Sequence, residues 1–68
     1  MALYRQDREL TELEINALCA QIEREEEASN VTFLENTMSF YVFQGMVSNK
    51  LIKFNLDKQT GLIITEEE

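Results

Sequence analysis

Carboxylates are the side chains in this sequence that could carry out acid–base chemistry. The chain has 68 residues, of which thirteen are aspartate or glutamate and none is histidine. Histidine is the usual general acid or base near neutral pH, so a carboxylate would have to replace it. The candidate pairs are Glu12 with Glu14 and Glu23 with Glu27. Both pairs lie in a segment with the composition of a solvated helix surface, so we expect no enzymatic activity.

A spacing that is typical of calcium-binding loops occurs near the end of the sequence. Polar residues alternate ahead of a glycine, and a glutamate stands at the twelfth position: Asn55, Asp57, Gln59, Gly61 and Glu66. The glycine comes one place late, the first ligand is an amide, and the flanking residues predict strands rather than helices. We therefore interpret the segment as a hairpin loop in which Asp57 bonds its own backbone. The sequence predicts no metal and no cofactor.

Cys19 is the single cysteine of the chain. It has acidic neighbours and no histidine that could stabilise a thiolate, so a reactive thiol is not favoured. One cysteine cannot form an internal disulfide, and a structural zinc site would lack ligands. We expect Cys19 to be a small core residue, with an intersubunit disulfide or a redox role as the alternatives.

The charge of the chain is strongly acidic. Its formal net charge is −7, with six lysines and arginines against the thirteen acids. Such a charge repels nucleic-acid phosphates and favours basic protein surfaces. The basic residues Lys50, Lys53 and Lys58 are too few for a nucleic-acid interface, and the sequence contains no glycine-rich phosphate loop. We expect another protein as partner, not nucleic acid.

The helix and strand signals predict an α+β fold in a single domain, residues 1–68. Thr11 followed by Glu14 has the form of a capping box, and apolar residues then recur at helical spacing, which predicts an amphipathic helix over residues 11–28. After Asn30 the sequence becomes rich in β-branched and aromatic residues. We expect three to four antiparallel strands, at about residues 31–34, 37–47, 51–56 and 62–65.

The register of the two middle strands decides which side chains form the core. A five-residue last loop would place Leu62 and Ile64 on the same face as Ile52, Phe54 and Leu56. A three-residue turn at residues 48–50 would add Met38, Phe40, Val42 and Met46 to that face. A two-residue turn would instead add Tyr41 and Phe43, because a slip of one residue reverses every side chain of a strand. We prefer the three-residue turn, since it groups purely apolar residues in the core.

The preferred register leaves large apolar side chains on the outer face of the sheet. These are Tyr41, Phe43, Val47, Leu51 and Ile63, beside Lys53. One helix covers one face, so the outer face needs residues 2–4, a second copy of the chain, or another protein as cover. A chain of this size also gains stability from association. We expect a non-enzymatic protein-binding module, such as an adaptor, inhibitor or small complex subunit, that self-associates through Tyr41, Phe43, Leu51 and Lys53.

The acidic helix suggests an alternative function. Glu12, Glu23 and Glu27 would project from one side of the helix, where carboxylates on successive turns could imitate nucleic-acid phosphates and block a basic site on a partner. The simpler interpretation is a solvated helix face.

The cellular location of the protein can be predicted from the length of its apolar segments. The sequence contains no apolar stretch that resembles a secretory signal or approaches the roughly 20 residues of a membrane span. We therefore expect a cytoplasmic protein without a membrane partner.

Overall fold

A computed structural model describes residues 10–67 and shows one helix packed against a four-stranded antiparallel sheet. The elements are helix α1 (Glu12–Glu26) and strands β1 (Ser29–Asn36), β2 (Phe40–Val47), β3 (Lys50–Asp57) and β4 (Ile63–Glu67). Each strand pairs with the next one along the chain, in the order β1-β2-β3-β4. The predicted α+β class is confirmed. The first strand is longer than predicted, and the reversal that we expected at residues 35–36 occurs at residues 37–39.

The start of α1 is fixed by the predicted capping box. The Thr11 hydroxyl oxygen accepts a hydrogen bond from the backbone N–H of Glu14 at 3.2 Å, and the Glu14 carboxylate accepts one from the backbone N–H of Thr11 at 3.0 Å. The helix ends at Glu26 because Glu27 adopts a left-handed conformation with φ 55°. Its buried side chain is Ile22, which lies against the sheet.

The turn between β2 and β3 contains two residues, so the three-residue turn that we preferred is wrong. Ser48 and Asn49 both have positive φ, 52° and 68°. This is the requirement of a type I′ turn, whose twist matches that of the strands it joins. Val47 consequently faces Lys50 across the turn.

The corrected register directs Tyr41 and Phe43 toward α1. Tyr41 lies opposite Leu56, and Phe43 lies opposite Phe54. With the helix they form one hydrophobic core: Ile22, Val31, Tyr41, Phe43, Phe54 and Leu56. Met38, Phe40, Val42 and Met46 therefore do not join the core face, contrary to the prediction.

The pairing of β3 with β4 also differs from the prediction by one residue. Leu56 faces Ile63 rather than Leu62, so six residues rather than five separate Leu56 from its partner in β4 across the connecting loop. The backbone N–H of Asp57 donates to the Leu62 carbonyl at 2.8 Å and closes this loop, in which Gly61 has φ 77°. Ile63 therefore packs against the core, and Ile64 lies on the opposite face.

Gly45 allows β1 and β3 to approach β2 closely. A Cβ atom at this position would lie 2.7 Å from the Val31 Cγ2 atom, 3.2 Å from the Ser29 carbonyl oxygen and 3.3 Å from a Phe54 ring carbon. All three distances are shorter than ordinary van der Waals contact. The core therefore has no room for a side chain at residue 45.

We predict that Gly45→Ala destabilises the fold by about 1–3 kcal/mol, the usual cost of overpacking a core. Urea denaturation measures the change in the free energy of unfolding. Gln44→Ala is the matched control, because Gln44 is the neighbouring residue of β2 and faces away from the core. Equal stability of the Gly45→Ala variant and the parent chain would contradict the close approach of Val31.

Candidate functional site

Two of the residues that we expected to bind a partner lie inside the core. Tyr41 and Phe43 are each 0% exposed. The two-residue turn reverses every side chain of β2 relative to the preferred register, so neither ring can contact a partner. Leu51 and Lys53 of the same predicted set do lie on the sheet face that points away from α1.

This face, which we call the outer face, mixes apolar and polar residues. Over β2, β3 and β4 it includes Phe40, Val42, Gln44 and Met46 of β2, Leu51, Lys53, Asn55 and Asp57 of β3, and Ile64 and Glu66 of β4. Thr32 and Glu35 of β1 lie opposite Gln44 and Val42. Met46 pairs with Leu51 at one end of the outer face. A row of Val42, Asn55 and Ile64 lies nearer the other end. Between these two rows lies a polar row of Gln44, Lys53 and Glu66.

Two large apolar side chains in the outer-face positions of β3 and β4 are exposed. Ile64 is 49% exposed and Leu51 is 37% exposed. Val42 is only 4% exposed although it points away from the core, and Phe40 and Met46 are half-buried. The outer face is thus less apolar than the sequence led us to expect, and its exposed apolar side chains flank the polar row.

Polar contacts hold the β4 side of the outer face. The Asn55 side-chain amide donates to a Glu66 carboxylate oxygen at 2.8 Å and reaches the Ile64 carbonyl at 3.4 Å. On the other face of the sheet, Lys50 and Glu67 form an exposed salt bridge of 3.5 Å. Exposed pairs of this kind contribute little to stability. The Lys50–Glu67 salt bridge engages one of the few basic side chains of the chain.

The three glutamates expected to form an acidic face lie in different surroundings. The Glu23 carboxylate accepts the backbone N–H of Val31 at 3.1 Å and thereby joins α1 to β1. Glu12 and Glu27 are exposed but stand at opposite ends of the helix, about 22 Å apart along its axis at the usual rise per residue. The three carboxylates therefore do not form one continuous acidic row, although Glu12 and Glu27 remain exposed.

Cys19 lies against the core, as predicted. It is half-buried on the same side of α1 as Ile22. Burial raises the pKa of the Cys19 thiol, and the nearby Glu23 carboxylate raises it further. A protonated thiol is a small apolar side chain and not a nucleophile.

Asp57 bonds its own backbone, as predicted for a hairpin loop. One of its carboxylate oxygens accepts the N–H of Gln59 at 2.7 Å and that of Thr60 at 3.1 Å. Within residues 10–67, no group of three or more histidine, cysteine, aspartate or glutamate side chains could hold a metal ion. Over the same residues, no helix has the length and apolar composition needed to cross a membrane.

Lys58 is buried, a feature that the sequence analysis missed. It is 1% exposed, and its Nζ donates to the Asn36 side-chain oxygen and to the Thr37 carbonyl. The ammonium also lies 4.7 Å from the centre of the Tyr41 ring. The backbone N–H of Lys58 donates to the Ser39 carbonyl at 3.0 Å. Lys58 therefore ties the β1–β2 turn to the β3–β4 loop and withdraws a positive charge from the surface.

We predict that Lys58→Met destabilises the fold by about 1–3 kcal/mol, because the apolar stem is kept while Asn36 and Thr37 lose a charged donor. Thermal unfolding followed by circular dichroism measures the effect. Lys53→Met is the same substitution at a half-buried lysine of the outer face, and it should change the free energy of unfolding by less than about 0.5 kcal/mol. Equal effects of the two substitutions would show that the contacts of the Lys58 ammonium add nothing.

Within the part of the chain that the structure describes, the outer face and the acidic residues around it are the surfaces considered for binding a partner. No family model, curated protein or solved structure matches this chain.

Proposed function

We propose that this chain is a non-enzymatic protein-binding module whose outer face docks on a basic partner protein. The observation that carries the proposal is the pair of exposed apolar side chains, Leu51 and Ile64, on the sheet face opposite the helix. Interfaces of this kind place apolar contacts inside a polar surround. On the outer face the polar row of Gln44, Lys53 and Glu66 instead lies between Leu51 and Ile64, so a partner would make two apolar contacts on either side of a polar centre.

Charge supports a basic partner. The net charge is −7, and two of the basic side chains are already engaged: Lys58 is buried and Lys50 is paired with Glu67. Burial of Lys58 leaves the exposed surface with one basic side chain fewer than the composition indicates, and the exposed Lys50–Glu67 pair is neutral as a whole. Complementary charge speeds the encounter of two proteins and selects between partners.

The structure gives less support to self-association through the outer face than the sequence did. It depended on Tyr41 and Phe43, and both rings lie in the core. Two copies would also each bring a net charge of −7 to the contact. A different protein with basic residues is the occupant that the charge favours.

The test of the outer face is a substitution of Leu51. A photo-crosslinking residue at position 51 identifies the partner in cells, and the purified partner is then titrated with the variants. We predict that Leu51→Glu weakens binding at least about tenfold, the loss expected when a central apolar contact is removed. Leu13→Glu should bind as the parent chain does, because Leu13 is a 78% exposed leucine on the helix.

Three outcomes would contradict the proposal: equal binding by the two variants, crosslinks from residue 51 to the chain itself, or affinity that is insensitive to salt. Sedimentation at low micromolar concentration separates the second outcome from the others, because it detects a homodimer directly. A dimer that Leu51→Glu dissociates would replace the basic partner with a second copy of the chain.

The second candidate is an acidic mimic of nucleic acid, favoured by the exposure of Glu12 and Glu27. The leading proposal predicts that Glu12→Gln with Glu27→Gln lowers affinity for the partner by less than about fivefold, the range of exposed charge pairs. It also predicts that duplex DNA does not compete for the partner. Loss of binding in the double variant together with competition by DNA would favour the mimic. Glu25→Gln, on the exposed surface of the same helix, is the control for added amides.

A further inference from the structure

The two edge strands of the sheet differ in regularity. The pairing of β1 with β2 is interrupted by two register shifts, between Ser29 and Thr32 and between Phe33 and Glu35. Bulges of this kind twist an edge and hinder pairing with another strand. The pairing of β4 with β3 has no register shift from Ile63 to Glu67. Of the two edges, β4 is the one that could continue the ladder.

The free side of β4 follows from its hydrogen-bond pattern. Asp57 donates to the carbonyl of Leu62, so this pair is hydrogen-bonded, and in an antiparallel ladder such pairs alternate with non-bonded ones. Ile64 and Glu66 therefore bond toward β3. The backbone groups that point away from β3 belong to Ile63, Thr65 and Glu67. Within residues 10–67 no strand pairs with these groups.

The side chains of β4 indicate what kind of segment would fit. Glu66 and Glu67 are exposed at the end of the strand and, as successive residues, point to opposite faces of the sheet. Glu66 accepts a hydrogen bond from the neutral Asn55 amide, and Glu67 shares an exposed contact with Lys50, so both remain accessible to further basic groups. Ile64 is exposed on the outer face. An added strand would match the charge of β4 if it placed basic residues beside the glutamates. It would match the apolar contact of β4 if it placed an apolar residue beside Ile64.

From these observations we infer that β4 binds an extended, basic segment of a partner protein as a fifth strand of the sheet. The inference rests on the proposed function, since it names the kind of segment that the partner contributes. Strand addition supplies affinity through main-chain hydrogen bonds and specificity through alternate side chains. A second copy of the chain fits less well because it carries the same acidic charge.

The probe is a synthetic peptide of alternating lysine and valine, with blocked ends, titrated into the full chain. Amide hydrogen exchange measured by NMR should slow at Ile63, Thr65 and Glu67, whose N–H groups point outward. The Ile64 and Glu66 amides already bond to β3 and should change less. Saturable binding at or below about 1 mM peptide is expected, the weak end of specific recognition.

The decisive variant is Thr65→Pro. Proline removes the outward N–H of residue 65 without removing a bond to β3, and edge strands tolerate it. We predict at least tenfold weaker binding of the peptide, while Thr65→Val, which keeps the N–H, binds within about twofold of the parent chain. A peptide with N-methylated backbone amides should also fail to bind, and this control does not depend on the folding of any variant.

The inference is overturned by any of these results: no saturable binding, equal binding by Thr65→Pro, equal binding of an alternating glutamate–valine peptide, or protection confined to α1. Its failure is distinguishable from failure of the proposed function. If the identified partner loses affinity for Leu51→Glu but not for Thr65→Pro, the outer face docks the partner and no strand is added at β4.

Discussion

The register between β2 and β3 determines which side chains form the core and which face outward. Strand β2 is apolar on both sides, so the hydrophobic pattern alone does not decide which side faces the helix. The register is set by the two turn residues, Ser48 and Asn49, which both adopt left-handed conformations. That turn places Tyr41 and Phe43 in the core and leaves Val42 on the outer face.

Two further features follow from this register. Gly45 faces the core, where Val31 and Phe54 leave no space for a side chain. Tyr41 lies beneath the Lys58 ammonium, so the lysine that joins the two neighbouring loops also packs on a core ring. Burial of Lys58 costs desolvation, which its contacts with Asn36 and Thr37 offset. The packing of the core and the acidity of the exterior are therefore linked through one side chain.

How much the sequence predicts depends on how local each signal is. The capping box at Thr11 and the 3.6-residue period of α1 involve neighbouring residues, and both are confirmed. The faces of β3 are also confirmed, so Leu51 and Lys53 lie outside as expected. The predicted register was wrong because it was chosen to group purely apolar residues in the core, and both sides of β2 are apolar. Ser48 and Asn49 lack the glycine typical of a type I′ turn, so the turn gave no clear signal against it. Lys58 left no local signal, because its burial depends on two loops that are distant in sequence.

The outer face and the β4 edge form one continuous surface, since Ile64 and Glu66 belong to both. The exposed parts of Leu51 and Ile64 are small for a stable interface by apolar burial alone. Additional affinity must come from charge or from backbone hydrogen bonds, and β4 offers both at the same place. A strand added there would extend the outer face by one row and cover part of Ile64. One bound segment would then contact the exposed apolar residues and the acidic end of β4, and it would continue the regular hydrogen-bond ladder of that strand.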